Sequence, residues 1–414
     1  LALHNAKNIL GINGLGRIGK LTLWYHLQEN HFDGFIVNVG RKVGTKLSDI
    51  ANLIGTDSTY GPMEKFLSGI KAEKSIKIID EQENLLEVLG KPVKILGKTR
   101  NPKEINWKEL GVKIVIDTTG AFNDPAAAED SEKGSLRGHL WAGAQRVINS
   151  APFKIKDKSK RLPEDCTTLI YGINHTSFEP NKHTIVSAAS CTTTALAHMV
   201  KPLLEREETK NILTASLATI HAATNSQRVL DSLPGINDTD LRKNRMVFNN
   251  IILSTTGAAS TLEKVLPEIK RVGFMTDSVR IPTDTVSLII LNLTFHSYLD
   301  KRGDSSIKRE FLNQIYQEAA QGAQRNLLCY SDHQNVSSDL KGQLFAVVIE
   351  GHGTHTRTGF IDLNPEMLQK VGLDTGKIIN IPITHSTLFG WYDNEYGSYV
   401  HCLGKLAIYI DQNL

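Results

Sequence analysis

Short continuous apolar runs alternate with helical-period segments through the first half of the chain. Asn8-Ile9-Leu10-Gly11-Ile12-Asn13 reads as a buried strand, and the stretch KLTLWYHLQEN after it has a helical period. GFIVNV, VKIVIDTTGAF, RVINSAP and HTIVSAAS repeat the strand signature, each followed by turn or helical residues. This alternation predicts a mostly parallel sheet of the α/β Rossmann type. After Cys191 the texture changes. ILTASLATIHAAT, SVRIPTDTVSLIILNLTFHS and QLFAVVIE are longer and richer in β-branched residues, which predicts a second, α+β domain with a mostly antiparallel sheet. GWYDNEYGSYVHCLGKLAIYI returns to a helical pattern. The expected division is a first domain over 1–190, completed by a C-terminal helix at 398–414, and a second domain over 191–397. No internal repeat, low-complexity tract or Pro-rich linker interrupts it.

The length of 414 residues suits two cores. Hydrophobic residues make up 40% and charged residues 22%, the balance of a globular protein. The net charge of +3 is scattered, so no basic field for nucleic acid is expected. No apolar run reaches the ~18 residues of a membrane span. The start, Leu1-Ala2-Leu3-His4, has neither the basic leader nor the apolar run of a secretory signal, and without an initiator Met it leaves room for upstream residues. Cys166, Cys191, Cys329 and Cys402 are too few and too dispersed for a disulfide framework or a C-x-x-C metal site, and a reducing cytoplasm is the expected compartment.

GLGRIG follows the first strand and opens the first helical stretch, with Gly14, Gly16 and Gly19 at G-x-G-x-x-G spacing. A strand, a glycine turn and a helix are the context in which this motif binds a dinucleotide. The glycines allow a tight turn and the close approach of a pyrophosphate to the helix N-terminus. A NAD-binding fold carries an acid about 20 residues beyond the last glycine, on the ribose hydroxyls. Here Val39 stands there, followed by Gly40, Arg41 and Lys42. The missing acid and the added cations favour a 2′-phosphate, hence NADP. The other reading takes Arg41 and Lys42 as solvated loop charges.

The second feature is SAASCTTTALAHMVKPLL, in which Cys191 lies between a strand and a helical pattern. A helix N-terminus stabilises thiolate and supplies backbone N–H groups. Ser190, Thr192 and Thr193 add hydroxyls suited to an anion. His221, at the end of a later strand, is the candidate to take the thiol proton. Taken singly, a buried structural cysteine and a satisfied core histidine explain these two residues as well.

Together with GINGLGRIGK, DSTYG, VIDTTGAF, RVINSAPF, SAASCTTT, TIHAATNSQ, STTGAAS, VRIPT, HQNVSSD and WYDNEYG, in that order over nearly the whole chain, these residues resemble the phosphorylating glyceraldehyde-3-phosphate dehydrogenases. The resemblance implies Cys191 as nucleophile and His221 as its base. It places Arg17 and Ile18 on the pyrophosphate, Thr119, Gly120 and Ser150 along the cofactor cleft, Arg100 near the adenine end and Asn394 on the nicotinamide carboxamide. Ser190, Thr192, Thr256 and Gly257 would hold inorganic phosphate, and Thr224 with Arg280 the phosphate of the substrate. No metal is implied. The partners expected are a small phosphorylated aldehyde, inorganic phosphate and further copies of the chain in a homotetramer.

The chain departs from the family pattern at several positions. Val39 replaces the ribose-binding Asp, and Ser232-Leu233 replaces a Gly-Pro pair in a loop that approaches a neighbouring subunit's cofactor. With Arg100, these changes lead to the expectation that NADP is used at least as well as NAD. Thr194 stands where the family has Asn, and Ser398 where it has Tyr. Extra segments are expected near 126–135, 154–168 and 351–386, the last partly helical; His352, His355 and Arg357 in it read as a solvated loop rather than a site, since no full metal-ligand set is visible. Two competitors to the glyceraldehyde 3-phosphate reaction are the same chemistry on erythrose 4-phosphate and a non-catalytic nucleotide-binding relative.

Overall fold

The computed structural model describes residues 3–97, 99–236, 239–373 and 375–414; Leu1 and Ala2 of the N-terminal stretch considered above lie outside them. The chain divides into two compact units, one formed by 1–194 with 395–414 and the other by 195–394.

The first unit is built on a sheet of β1 (Ile9–Asn13), β2 (Gly34–Asn38), β5 (Ile76–Asp80), β6 (Leu85–Val88), β7 (Lys91–Leu96), β8 (Val112–Asp117), β9 (Arg146–Asn149), β10 (Cys166–Thr168) and β11 (Ile185–Ser187); the two-residue strands β3 (Thr56–Asp57) and β4 (Gly61–Pro62) pair with each other. The spatial order is β10-β11-β9-β8-β1-β2-β7-β6-β5. Pairing is parallel from β10 to β7 and antiparallel across β7, β6 and β5. β1 and β2 are buried at every position, because both faces of a parallel sheet are covered. Helix α1 (Arg17–Gln28) covers one face with Leu21, Leu23, Trp24, Tyr25 and Leu27, and the Trp24 indole N–H donates to the Ile54 carbonyl at 2.8 Å. Helices α2 (Leu47–Gly55), α3 (Met63–Ser68) and α4 (Leu136–Trp141) belong to the same unit, and the helix His401–Gln412 buries Leu403, Leu406, Ala407 and Ile410 in the core that α1 covers. The segment 154–168 ends in β10, so part of it extends the sheet.

The boundary between the units falls inside α5, the helix Cys191–Leu204, after Thr194. The second unit contains β12 (Ile212–Ala222), β13 (Ile252–Ser254), β14 (Gly273–Ile281), β15 (Ser287–His296), β16 (Leu328–Ser331), β17 (Val347–Glu350), β18 (His355–Leu363) and β19 (Ile379–Tyr392). Their order is β13-β14-β12-β15-β19-β17-β16, with β18 on β19. Most pairs are antiparallel; β12 with β14 and β16 with β17 are parallel. β15 alternates buried and open positions over Ser287–His296, the pattern of a sheet with one face on a core.

The segment 351–386, expected to be partly helical, is among its described residues mainly the antiparallel pair β18 and β19, with a helix over Pro365–Gln369. Proline at the first turn, with the Asn364 side chain capping the Met367 N–H at 2.9 Å, starts this helix, and Gly372 at φ +81° follows its end. Among the described residues, no helix is long and apolar enough to cross a membrane.

Candidate active site

In the first unit the glycine turn joins β1 to α1. Gly14 takes φ +102°, and a Cβ on Gly19 would lie 2.0 Å from the Gly14 carbonyl oxygen, so only glycine closes this turn. A Cβ on Gly16 would meet nothing within 4 Å. The turn is therefore open exactly where a pyrophosphate would approach, and α1 begins there with no side-chain cap on its first N–H groups. The residues present fit a dinucleotide. Ile18 packs on the core. The Arg17 guanidinium does not point into this opening. It donates from Nε to Glu395 at 3.0 Å and contacts Asp57 and Glu395 through its other nitrogens, so the backbone N–H is what Arg17 offers a phosphate.

The carboxyl ends of β8, β1 and β2 carry a buried polar chain that sequence reading missed. Asp117 accepts from the Thr119 N–H at 3.0 Å and hydroxyl at 2.7 Å on one oxygen. On the other it accepts from Asn13 at 2.8 Å and meets His139 Nε2 at 3.1 Å. The Trp107 indole donates to His139 Nδ1 at 2.9 Å. Asn13 in turn accepts from Asn38 at 2.8 Å, and Asn38 accepts from the Gly40 N–H at 3.2 Å. This chain holds exposed Thr119 and Gly120 at one end and the Val39–Gly40 turn at the other. Ser150 is tied to β8 through its N–H to the Asp117 carbonyl at 2.9 Å. Ligands of open parallel sheets bind along this carboxyl edge.

Beyond Val39 a cavity of about 800 Å³ opens, lined by Asn38, Val39, Arg41, Lys42, Thr99 and Glu104 among others. Gly40, at φ +67°, has the Arg100 side chain beside it: a Cβ there would lie 3.1 Å from Cγ of Arg100. Arg41, Lys42 and Arg100 are exposed at this end.

Cys191 is the first residue of α5. The turn before it places Ala189 at φ +56°, a conformation that costs a residue with a Cβ and that clusters at functional sites. Three contacts fix it. The Ala189 N–H donates to Ser187 Oγ at 3.1 Å, the Tyr399 hydroxyl donates to the Ala189 carbonyl at 3.2 Å, and Ser187 is anchored on the Ala151 carbonyl at 2.8 Å. Ser190 Oγ caps the Thr193 N–H at 3.2 Å, leaving the helix start at Cys191 and Thr192 aligned with the helix dipole. Thr194 continues the helix with its N–H on the Ser190 carbonyl at 2.8 Å.

In the second unit His221 lies at the end of β12, opposite Arg280 of β14 in the parallel register. His221 Nδ1 is 2.8 Å from the Ala222 carbonyl and also contacts Arg280 NH1. The Tyr392 ring stands edge-on to the imidazole at 6.0 Å, with its hydroxyl hydrogen-bonded to Thr219 at 2.7 Å. Burial, then the Arg280 charge, push the imidazole down to about 3, so it is neutral near pH 7. The Ala222 N–H donates to Ser287 Oγ at 3.0 Å, and Ser287 donates to the Asn394 amide oxygen at 2.9 Å, so Asn394 and the His221 strand end share one anchor. Thr224 bonds Gln227 through N–H and hydroxyl, both at 2.8 Å. Thr256 and Gly257 precede α6 (Ala258–Val265), with Gly257 at its N-cap. His355 Nδ1 is 2.9 Å from the Gly353 carbonyl; among the described residues no cluster of three or more His, Cys, Asp or Glu is grouped as metal ligands would be.

Residues 8–125 match the NAD-binding domain of the glyceraldehyde 3-phosphate dehydrogenase family, and residues 190–363 match its C-terminal domain. The chain is 31% identical over 411 residues to a glyceraldehyde-3-phosphate dehydrogenase of Streptomyces coelicolor, covering 98% of this chain and 99% of that protein. It is 33% identical over 402 residues to one of Geobacillus stearothermophilus, covering 97% of each. It is 30% identical over 389 residues to glyceraldehyde-3-phosphate dehydrogenase 2 of Bacillus subtilis, covering 94% and 92%.

Proposed function

The chain belongs to the glyceraldehyde-3-phosphate dehydrogenase family, and we propose that it oxidises glyceraldehyde 3-phosphate to 1,3-bisphosphoglycerate with uptake of inorganic phosphate. The observation that carries this reading is the position of Cys191 at the start of α5, behind the Ala189 turn at φ +56°. Such a helix start favours thiolate over thiol.

His221, neutral and buried, takes the thiol proton. The Cys191 thiolate attacks the aldehyde carbon, and the Cys191 N–H stabilises the oxyanion that forms. Held by the glycine turn with Asn394 on its carboxamide, a nicotinamide would supply the acceptor for the hydride released as the tetrahedral adduct on Cys191 collapses. The carbon is then a thioester on Cys191. Thr256, Gly257, Ser190 and Thr192 are assigned to the incoming inorganic phosphate, which attacks the thioester and releases an acyl phosphate and the thiolate. Arg280 and Thr224 are assigned to the phosphate of the substrate, where a guanidinium supplies charge-assisted hydrogen bonds.

The glycine turn, Arg17 and Ile18 through their backbone, and Thr119, Gly120 and Ser150 are assigned to the cofactor, with Asn394 on its carboxamide. Val39, Arg41 and Arg100 support the use of NADP at least as well as NAD. A symmetric homo-oligomer, a tetramer in this reading, is supported by Leu233 and Ile236, which are 92% and 104% exposed in the single chain. Steady-state kinetics with glyceraldehyde 3-phosphate and erythrose 4-phosphate, each with NAD and NADP and with or without inorganic phosphate, test the proposal. A higher kcat/KM for erythrose 4-phosphate would reassign the substrate, and no turnover with either aldehyde would leave a nucleotide-binding relative.

A further inference from the structure

One ring nitrogen of His221 faces two groups with opposite needs. The Ala222 carbonyl oxygen, 2.8 Å from Nδ1, needs a proton on that nitrogen. Arg280 NH1 contacts the same nitrogen and lies 3.3 Å from the same carbonyl. A guanidinium carries only donors, so it needs a lone pair on Nδ1. A neutral imidazole cannot meet both demands. A protonated ring would satisfy the carbonyl but would place two cations in contact inside the unit.

The tautomer therefore follows the position of Arg280. With the guanidinium against the ring, NH1 donates to Nδ1 and the proton sits on Nε2, where a base needs its lone pair. With the guanidinium withdrawn, Nδ1–H donates to Ala222 and Nε2 becomes the acceptor. The surroundings favour movement of Arg280 over movement of the ring. The Ala222 backbone is tied to Ser287 at 3.0 Å, and Tyr392, held by Thr219, stands edge-on to the imidazole. Arg280 is the long, rotatable member of the pair.

We propose that Arg280 gates the tautomer of His221, and that a phosphate monoester on the substrate opens the gate by drawing the guanidinium off Nδ1. This rests on the assignment of Arg280 and Thr224 to the substrate phosphate. The gating step breaks the Nε2–H bond and forms an Nδ1–H bond: one proton leaves Nε2 for solvent, one arrives at Nδ1 from solvent, and the ring stays neutral. An aldehyde without a phosphate meets the wrong tautomer, so discrimination falls on kcat as well as on KM.

The test is ¹⁵N NMR of the full chain with labelled histidine, with and without glycerol 3-phosphate, a phosphate monoester that has no aldehyde. The gate predicts His221 as the Nε2–H tautomer alone and as Nδ1–H when the ester is bound. Arg280→Met should show Nδ1–H without ligand and should turn over unphosphorylated glyceraldehyde several-fold faster than the parent at saturation, while losing activity on glyceraldehyde 3-phosphate. A role in binding alone would leave the glyceraldehyde kcat where it was. Nδ1–H in the ligand-free parent, or Nε2–H retained with the ester bound, overturns the gate while the phosphate site stands. Saturating ester that moves neither the Thr224 nor the Arg280 amide signal removes the phosphate site itself, and the gate with it.

Discussion

The Trp107 indole N–H donates to Nδ1 of His139 at 2.9 Å, and this one bond fixes the protonation of a buried ring. An indole only donates, so Nδ1 must accept, and the His139 proton sits on Nε2, facing Asp117 at 3.1 Å. Asp117 then holds Thr119 at the edge assigned to the cofactor. His139→Leu should destabilise the protein by about 1–3 kcal/mol, the cost of leaving buried polar groups unmatched, and should weaken nicotinamide nucleotide binding. Urea denaturation and a binding titration check both effects. Unchanged stability would mean that Asp117 does not depend on this donor.

Gly16 and Gly19 separate cofactor approach from turn closure. Gly16→Ala adds a methyl that, among the described residues other than its chain neighbours, meets no atom within 4 Å, so the melting temperature should hold while the Kd for the dinucleotide rises. Gly19→Ala drives a Cβ into the Gly14 carbonyl and should lower the melting temperature first. Calorimetry on both variants distinguishes the two roles, and an intact dinucleotide Kd in Gly16→Ala would contradict the assignment.

His26 predicts how stability depends on pH. It is fully buried in α1, with no hydrogen-bond partner for either ring nitrogen among the described residues, and burial, aided by the His31 and Lys91 charges, pushes it down to about 3. Between that value and the ordinary ~6.5, the unfolded chain binds a proton that the folded chain refuses, so stability falls as pH drops through this window. His26→Phe, which keeps the edge-on packing with Phe32, should raise stability and flatten that decline. Urea midpoints at pH 7 and pH 5 provide the comparison, and an equal decline in parent and variant would rule His26 out as its source.

The features legible in the sequence are those set by neighbours along the chain. The glycine turn requires its conformation locally, and Cys191 follows a strand and begins a helix within one continuous stretch. The Trp107–His139–Asp117 chain was not legible, because its members lie on separate elements and become neighbours only when β8 and the helix Leu136–Trp141 pack. The ion pairs of the Arg17 side chain were not legible for the same reason: Asp57 and Glu395 reach it from distant parts of the sequence. In 351–386 the helix was legible, but the antiparallel pairing of β18 with β19 was not, because its partners are brought together across the helix between them.

The proposed use of NADP rests on Val39 and the cations after it. Arg41, Lys42 and Arg100 gather near the cavity beyond β2, with Glu104 as an opposing charge in its wall. A charge-assisted contact to a 2′-phosphate is worth roughly 1.5–3 kcal/mol before solvent screening, enough for about tenfold preference. Val39→Asp should shift the NADP/NAD ratio of kcat/KM toward NAD. A parent preferring NAD by about tenfold, or a variant with an unchanged ratio, would show that this strand end does not set specificity.

The central claim is that Cys191 carries the oxidised substrate as a thioester until phosphate removes it. Cys191→Ser should cut turnover by several orders of magnitude while the cofactor still binds, because a serine hydroxyl stays protonated at neutral pH. The most direct measurement is rapid mixing of the cofactor-loaded parent protein with glyceraldehyde 3-phosphate, first without and then with inorganic phosphate, while reduced nicotinamide is followed by absorbance. The account predicts a burst of one reduced nicotinamide per Cys191 without phosphate, sustained turnover once phosphate is added, and neither in Cys191→Ser. Rapid turnover that continues without phosphate, or a full burst in folded Cys191→Ser, would contradict it.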